Sequence, residues 1–205
     1  MENSEYCTQS RKPFLKIAAD LTEKNYKVLD AGCGDSEFKD MAKGKLYLLD
    51  MNKVTVDKLI AEGYEAKQGI ISELPYPNYS FNIIHCSHVI EHLQPEDVYK
   101  FMTEAKRCLK YGGYLIISAP LMWSGFYSDL SHIRPYNPIV FTNYLCSENT
   151  QSRTRKVIGG FERVSLVYRT GIGKDCSTIV TGFTLVLMRN DDKDFTPVNN
   201  INLTK

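Results

Sequence analysis

The sequence predicts an α/β fold, a mostly parallel sheet with helices on both faces. Two observations carry this expectation. Short apolar runs alternate with stretches of helical periodicity from Arg11 to Met188. In addition, Val28-Leu29-Asp30 passes through Ala31-Gly32-Cys33-Gly34 into polar residues that open a helical pattern. That order reads as a buried strand, a tight turn and a helix start. Glycines in such a turn permit φ > 0 and, lacking Cβ, let a ligand approach the main chain.

The chain of 205 residues suits one sizeable core over 1–205 rather than two domains. Its 43% hydrophobic and 24% charged residues describe an ordinary globular protein, not a disordered one. A net charge of +1 provides no global basic field, so no nucleic-acid partner is expected. No apolar run reaches the roughly 18 residues that span a bilayer. The stretch Met1–Tyr6 lacks the basic and apolar regions of a secretory signal. Six cysteines without a C-x-x-C pair fit reduced thiols and a cytoplasmic location.

In chain order, Arg11–Thr22 shows a helical apolar face of Phe14, Leu15, Ala18, Ala19 and Leu21. After the glycine turn a helix is expected over Glu37–Ala42, ending near Gly44. The run Leu46–Leu49 reads as a strand ending at Asp50, one βα unit beyond the first turn. Ligands in open α/β sheets bind at the carboxyl ends of strands, so Asp50 should face the same crevice as Gly32. A helix over Val54–Glu62 and a short strand over Tyr64–Lys67 follow. The next strand, Ile83–Cys86, leads to a helix ending at Leu109, with Pro95 in its first turn beside Glu96 and Asp97. Tyr114–Ser118 is the next strand. A helix is expected within Val140–Lys156, with Ser147–Thr150 as a break point, then strands Val164–Tyr168 and Thr184–Met188. The glycine-containing stretch between these two strands reads as a flap or an extended hairpin, and 190–205 as a polar tail. Histidines 85, 88 and 92 share no helix if Ile83–Cys86 is a strand, and H-E-x-x-H is missing, so no metal site is expected.

Four segments, in this order, resemble the class I S-adenosylmethionine (SAM)-dependent methyltransferases of the type 11/type 23 kind. They are Val28–Gly34; Gly69–Tyr76 with its Leu74-Pro75; Ser80-Phe81-Asn82 through Glu91-His92-Leu93; and Leu109-Lys110-Tyr111-Gly112-Gly113-Tyr114-Leu115. The resemblance implies a Rossmann-like three-layer sandwich with a seven-stranded sheet and an antiparallel last strand. It implies SAM as cofactor and S-adenosylhomocysteine as product. Asp30, Gly32, Cys33 and Gly34 would then hold the methionine end, and Asp50 with Met51 the ribose. Ile70 and Ile71 would flank the adenine, Ile70 standing where the family usually has Asp. Ser87 and His88 would come off a strand end beside the cofactor, and the N-terminal helix (within 1–25) would cover it. A dinucleotide fingerprint needs glycine where Glu37 stands, which argues against a nicotinamide oxidoreductase.

The segment 120–145 follows a strand end and should face the substrate. It carries the candidate contacts Trp123, Asp129, Arg134 and Tyr136, and the candidate base His132, with His88 or His92 next. Aromatic faces with a few polar groups suit sugar or planar-ring surfaces. The run Asp129-x-Ser131-His132-x-Arg134-Pro135-Tyr136 is similar to a motif of bacterial glycan-biosynthesis methyltransferases. The expected reaction is O-methylation of a small-molecule or sugar-containing acceptor. The alternatives are small-molecule N-methylation and a non-catalytic SAM-binding partner subunit. A homodimer is the candidate assembly.

Overall fold

The computed structural model describes residues 4–7 (main chain only), 10–146, 154–172 and 177–191. Eight strands form one sheet: β1 (Ser4–Cys7), β2 (Lys27–Ala31), β3 (Lys45–Asp50), β4 (Glu65–Gln68), β5 (Phe81–Ser87), β6 (Leu109–Pro120), β7 (Phe161–Ile172) and β8 (Thr178–Arg189). Their spatial order is β1-β7-β8-β6-β5-β2-β3-β4. All neighbours pair in parallel except β8, which runs antiparallel to both β6 and β7. The seven expected strands are therefore present. The eighth, β1, adds at the edge through Ser4–Cys7 paired with Val167–Thr170.

The helices are α1 (Lys12–Asp20), α2 (Lys53–Ala61), α3 (Pro95–Cys108) and α4 (Pro138–Leu145). Strand β2 is flanked on both sides and buries Val28, Leu29, Asp30 and Ala31, as parallel strands between two helix layers do. On one face Leu15, Ala18 and Ala19 of α1 pack with Val28, Ile83, Ile116 and Val186. On the other, Val98, Phe101, Met102 and Ala105 of α3, at helical spacing, pack with Leu29, Ile84, Cys86 and Leu115.

Three expectations are corrected. The helix after the glycine turn is one 3₁₀ turn, Glu37–Asp40, because Ser36 enters it in the left-handed region (φ 50°) and Phe38 is drawn into the α1 core. Strand β6 begins at Leu109, directly after α3. There Gly113 lies so close that a Cβ would meet Asn82 O and Lys110 O at 2.9 Å, and the β5–β6 register shifts between Phe81 and Ile83. Helix α4 starts earlier, at Pro138, with the Asn137 side chain capping Ile139 N–H, and ends at Leu145; residues 154–160 are irregular. The break expected at Ser147–Thr150 lies outside the described residues. Between β7 and β8 the extended hairpin is the form observed, and of the tail only 190–191 are described.

Candidate active site

The glycine turn is held by the end of β3. Gly32 and Cys33 N–H both donate to Leu49 O, at 2.8 and 3.0 Å, and Gly34 N–H donates to Asp50 Oδ2 at 2.8 Å. Gly32 (φ 74°) and Gly34 (φ 50°) are both left-handed, which favours glycine at each place. At Gly34 the direction a Cβ would take is open, with nothing within 4 Å. Asp50 Oδ1 accepts from Asn52 N–H at 2.8 Å, so the carboxylate ties turn to strand while keeping lone pairs for hydroxyl donors.

Asp30 is buried behind the turn, its Oδ2 accepting from Ser36 Oγ at 2.6 Å and its Oδ1 2.8 Å from His85 Nδ1. With both oxygens engaged it braces the turn rather than projecting freely. His85 stacks against Phe38 at 4.3 Å, and its Nε2 is buried without a hydrogen-bond partner among the described residues. Burial and the neighbouring Asp30 and Asp50 charges push the Cys33 thiol up to about 12.

A cleft of about 270 Å³ opens here, lined by Asp30, Gly32, Cys33, Gly34, Ser87 and His88 from the expected set, together with Arg11, Leu15, Ser36, Phe38 and His85. Leu15 and Arg11 place the α1 end over the cleft. His88 holds a left-handed backbone (φ 57°), fixed by its N–H donating to Ser118 O at 2.8 Å. Its imidazole is pushed below the usual range by burial, against the opposing pull of Glu91. Beyond His88, a second recess is bounded by Arg11, Ser118, Arg169 and Thr184. Burial and the nearby Arg11 charge lower the pKa of the Arg169 guanidinium.

The remaining expected residues lie outside the cleft lining. Met51 is 72% exposed and Ile70 49%, whereas Ile71 is 6% exposed and belongs to the core, so its side chain cannot flank a ring in the crevice. Tyr136 is likewise buried, its hydroxyl donating to Leu93 O at 2.9 Å; it anchors the segment rather than facing a substrate. Arg134 is exposed and stacks over the Tyr136 ring at 5.3 Å. Trp123 lies partly exposed across Gly125, where a Cβ would meet its ring at 2.2 Å. Asp129 is exposed and held below the usual carboxylate range by Ser131, whose Oγ and N–H donate to it at 2.6 and 2.9 Å. His132 sits with His92 and Glu91 outside the cleft lining, and Glu91 Oε1 lies 3.2 Å from Nδ1 of His88, which lines the cleft.

The expected site residues did not include Ser36, His85, Glu91 or Arg169. Only His85 carried a signal, since alternation along β5 sets it on the same face as Ile83.

Residues 29–117 match the family described as "Methyltransferase domain". Among curated proteins, the chain is 29% identical over 140 residues to the Arabidopsis thaliana "Probable methyltransferase PMT3", covering 64% of this chain and 22% of that protein. It is 34% identical over 102 residues to the "Probable pectin methyltransferase QUA3" of the same plant, covering 45% and 16%. A probable SAM-dependent methyltransferase of Mycolicibacterium smegmatis is 33% identical over 98 residues, covering 45% and 37%. The chain thus spans well under half the length of these relatives. Among solved structures, a SAM-dependent methyltransferase from Archaeoglobus fulgidus superposes with TM-score 0.63 at 18% identity, covering 88% of this chain and 95% of that one. YcgJ from Bacillus subtilis gives 0.63 at 15% identity, covering 87% and 97%. Geranyl diphosphate C-methyltransferase from Streptomyces coelicolor, crystallised with S-adenosyl-L-homocysteine, gives 0.62 at 10%, covering 87% and 75%. Residues 29–117 thus carry the methyltransferase-domain match, and the chain as a whole shares its fold with solved SAM-dependent methyltransferases.

Proposed function

We propose that this chain acts as a single unit that transfers a methyl group from SAM to a hydroxyl of a small-molecule or sugar-containing acceptor. The observation that carries the reading is the open, doubly left-handed glycine turn, which lines the cleft and whose Gly34 N–H is bonded to Asp50. SAM, when bound, supplies an electrophilic methyl. Asp50 offers acceptors to the ribose hydroxyls, and Arg11 offers a cation to the methionine carboxylate. The donor set and the open Gly34 position fit that cofactor. Leu15 on α1 shields the cleft from water, and His88 and Ser87 border the place where the acceptor oxygen must align.

The acceptor side is supported by the apolar surface of the 120–136 segment, where Met122, Trp123, Tyr127, Leu130 and Ile133 are exposed. Such faces suit sugar C–H surfaces or planar rings, and the relative named for pectin points the same way. Activation of the hydroxyl is proposed to fall to His132 with its neighbours Glu91 and His92. A cytoplasmic setting is supported by the free thiols Cys33, Cys86, Cys108 and Cys146. No described helix is long and apolar enough to cross a membrane.

Calorimetry with SAM, S-adenosylhomocysteine and NAD tests the reading. The expected result is micromolar SAM binding, no NAD binding, and at least a tenfold weaker SAM affinity in Asp50→Ala, about 1.4 kcal/mol. Wild-type protein that fails to bind SAM would overturn it.

A further inference from the structure

Glu91 poses a problem that the cofactor cleft does not solve. Its side chain is 1% exposed, and neither carboxylate oxygen has a hydrogen-bond partner among the described residues. The nearest base, His88 Nδ1, is 3.2 Å from Oε1 but does not reach hydrogen-bond geometry. Buried carboxylates are normally paired, hydrogen-bonded or bound to a metal. Two imidazoles converge on this one: Glu91, His92 and His132 each present a ligand atom, all within 4.8 Å of one another.

Both imidazoles are held in the form a metal requires. His92 Nδ1 lies 3.1 Å from Ser131 O, and His132 Nδ1 lies 2.6 Å from Phe126 O. A carbonyl only accepts, so in the neutral ring each Nδ1 carries the proton and each Nε2 offers its lone pair. A ring N–H donated to a backbone carbonyl is the usual outer support of a metal-bound histidine. The main chain fixes the third member as well. Ile133 and Arg134 N–H donate to Glu91 O at 2.8 and 3.4 Å, clamping the His132 segment over the Ile90–His92 turn. The two rings stand 4.9 Å apart, tilted by 54°.

We propose that Glu91, His92 and His132 bind one divalent transition-metal ion, leaving coordination positions open for the acceptor hydroxyl. Two nitrogens and one carboxylate suit Zn²⁺, Mn²⁺, Fe²⁺ or Co²⁺ better than Ca²⁺. Glu91 links the site to the cleft, its Oε1 lying 3.2 Å from Nδ1 of His88, which lines it. This role for the ion rests on the methyl-transfer reading. A coordinated hydroxyl loses its proton to water more readily, and its oxygen forms the O–CH₃ bond as the S–CH₃ bond breaks. His132 then serves as a ligand rather than as a free base, and the sequence-based expectation of no metal is reversed.

The test is titration of chelator-treated, full-length protein with Zn²⁺, Mn²⁺ and Co²⁺ by calorimetry, with the visible spectrum of bound Co²⁺ as a second readout. One equivalent should bind. Glu91→Gln, His92→Gln and His132→Gln should each weaken binding at least tenfold while SAM binding and the circular dichroism spectrum stay as in the wild type. Because Glu91 is buried, the two histidine variants decide the outcome if Glu91→Gln unfolds. No saturable binding of any of the three ions, or unchanged affinity in both histidine variants, overturns the site. Metal binding without SAM binding would leave the site standing and remove the methyl-transfer role.

Discussion

Alanine at Gly32 and alanine at Gly34 should do different things, although both glycines are left-handed. At Gly32 a Cβ would stand 2.5 and 2.9 Å from the two methyls of Val89 and 3.3 Å from its Cβ. A left-handed L-residue costs about 1–2 kcal/mol, and forcing a methyl into a packed position costs about 1–3 kcal/mol more. The sum, roughly 2–5 kcal/mol, converts at about 2–4 °C per kcal/mol to a melting temperature lower by about 10 °C. At Gly34 nothing lies within 4 Å, so only the backbone term applies and melting should fall by only a few degrees. The new methyl would instead project into the space proposed for the cofactor, and SAM affinity should drop at least tenfold, about 1.4 kcal/mol. Calorimetric melting and SAM titration of both variants measure this. A Gly32→Ala protein that melts with the wild type would refute the crowding against Val89. Wild-type SAM affinity in Gly34→Ala would refute the path of the cofactor along this turn.

Cys33, with its thiol pushed up to about 12, should stay protonated and resist iodoacetamide at pH 8 roughly a thousandfold better than a free cysteine. Peptide mass mapping over time checks this, and rapid labelling of Cys33 would contradict it. Acid should release the segment after Ile71. Arg107 hydrogen-bonds Glu104 and holds its carboxyl below the usual range, while Glu104 accepts from Leu74 N–H at 2.9 Å. A depressed folded-state pKa contributes stability above the ordinary Glu value, about 4.3, that is lost as pH falls through the lower folded value. Denaturant unfolding should therefore separate wild type from Glu104→Gln at pH 7 and bring them together near pH 3; an unchanged gap would contradict this.

The fold was legible because β3 and β6 carry uninterrupted apolar runs, Leu46–Leu49 and Tyr114–Ile117, and because acids or glycines end β2 and β3 where the main chain must turn. The 3₁₀ turn at Glu37–Asp40 was not legible. Its cause is a left-handed Ser36 pinned to a buried Asp30, a tertiary bond with no local periodicity. Strand β1 was hidden for a similar reason, since four residues become a strand only through β7, which lies far along the chain. In the site, Ile71 and Tyr136 looked available because composition does not say which side of a segment faces inward. Glu91 entered only as part of the matching run Glu91-His92-Leu93, with no role of its own. Nothing in the string Ile90-Glu91-His92 reveals that its carboxylate is buried and meets a histidine 41 positions onward.

The placement of β8 between β6 and β7 bears on how the chain acquires its fold as it emerges from the ribosome. Parallel pairing can proceed from β2 through β6 in the order of synthesis, apart from the crossover of β3 and β4. Strand β6 then waits with an open edge, Tyr114–Pro120, until residues 178–189 arrive to fill it. That edge belongs to an apolar strand, the kind that pairs with other chains when left uncovered. Strand β1 comes to rest last, although it is made first, because its partner β7 lies beside β8. The β7–β8 hairpin is thus the closing step for both β6 and β1. A block in its formation should give aggregation rather than a partly active domain.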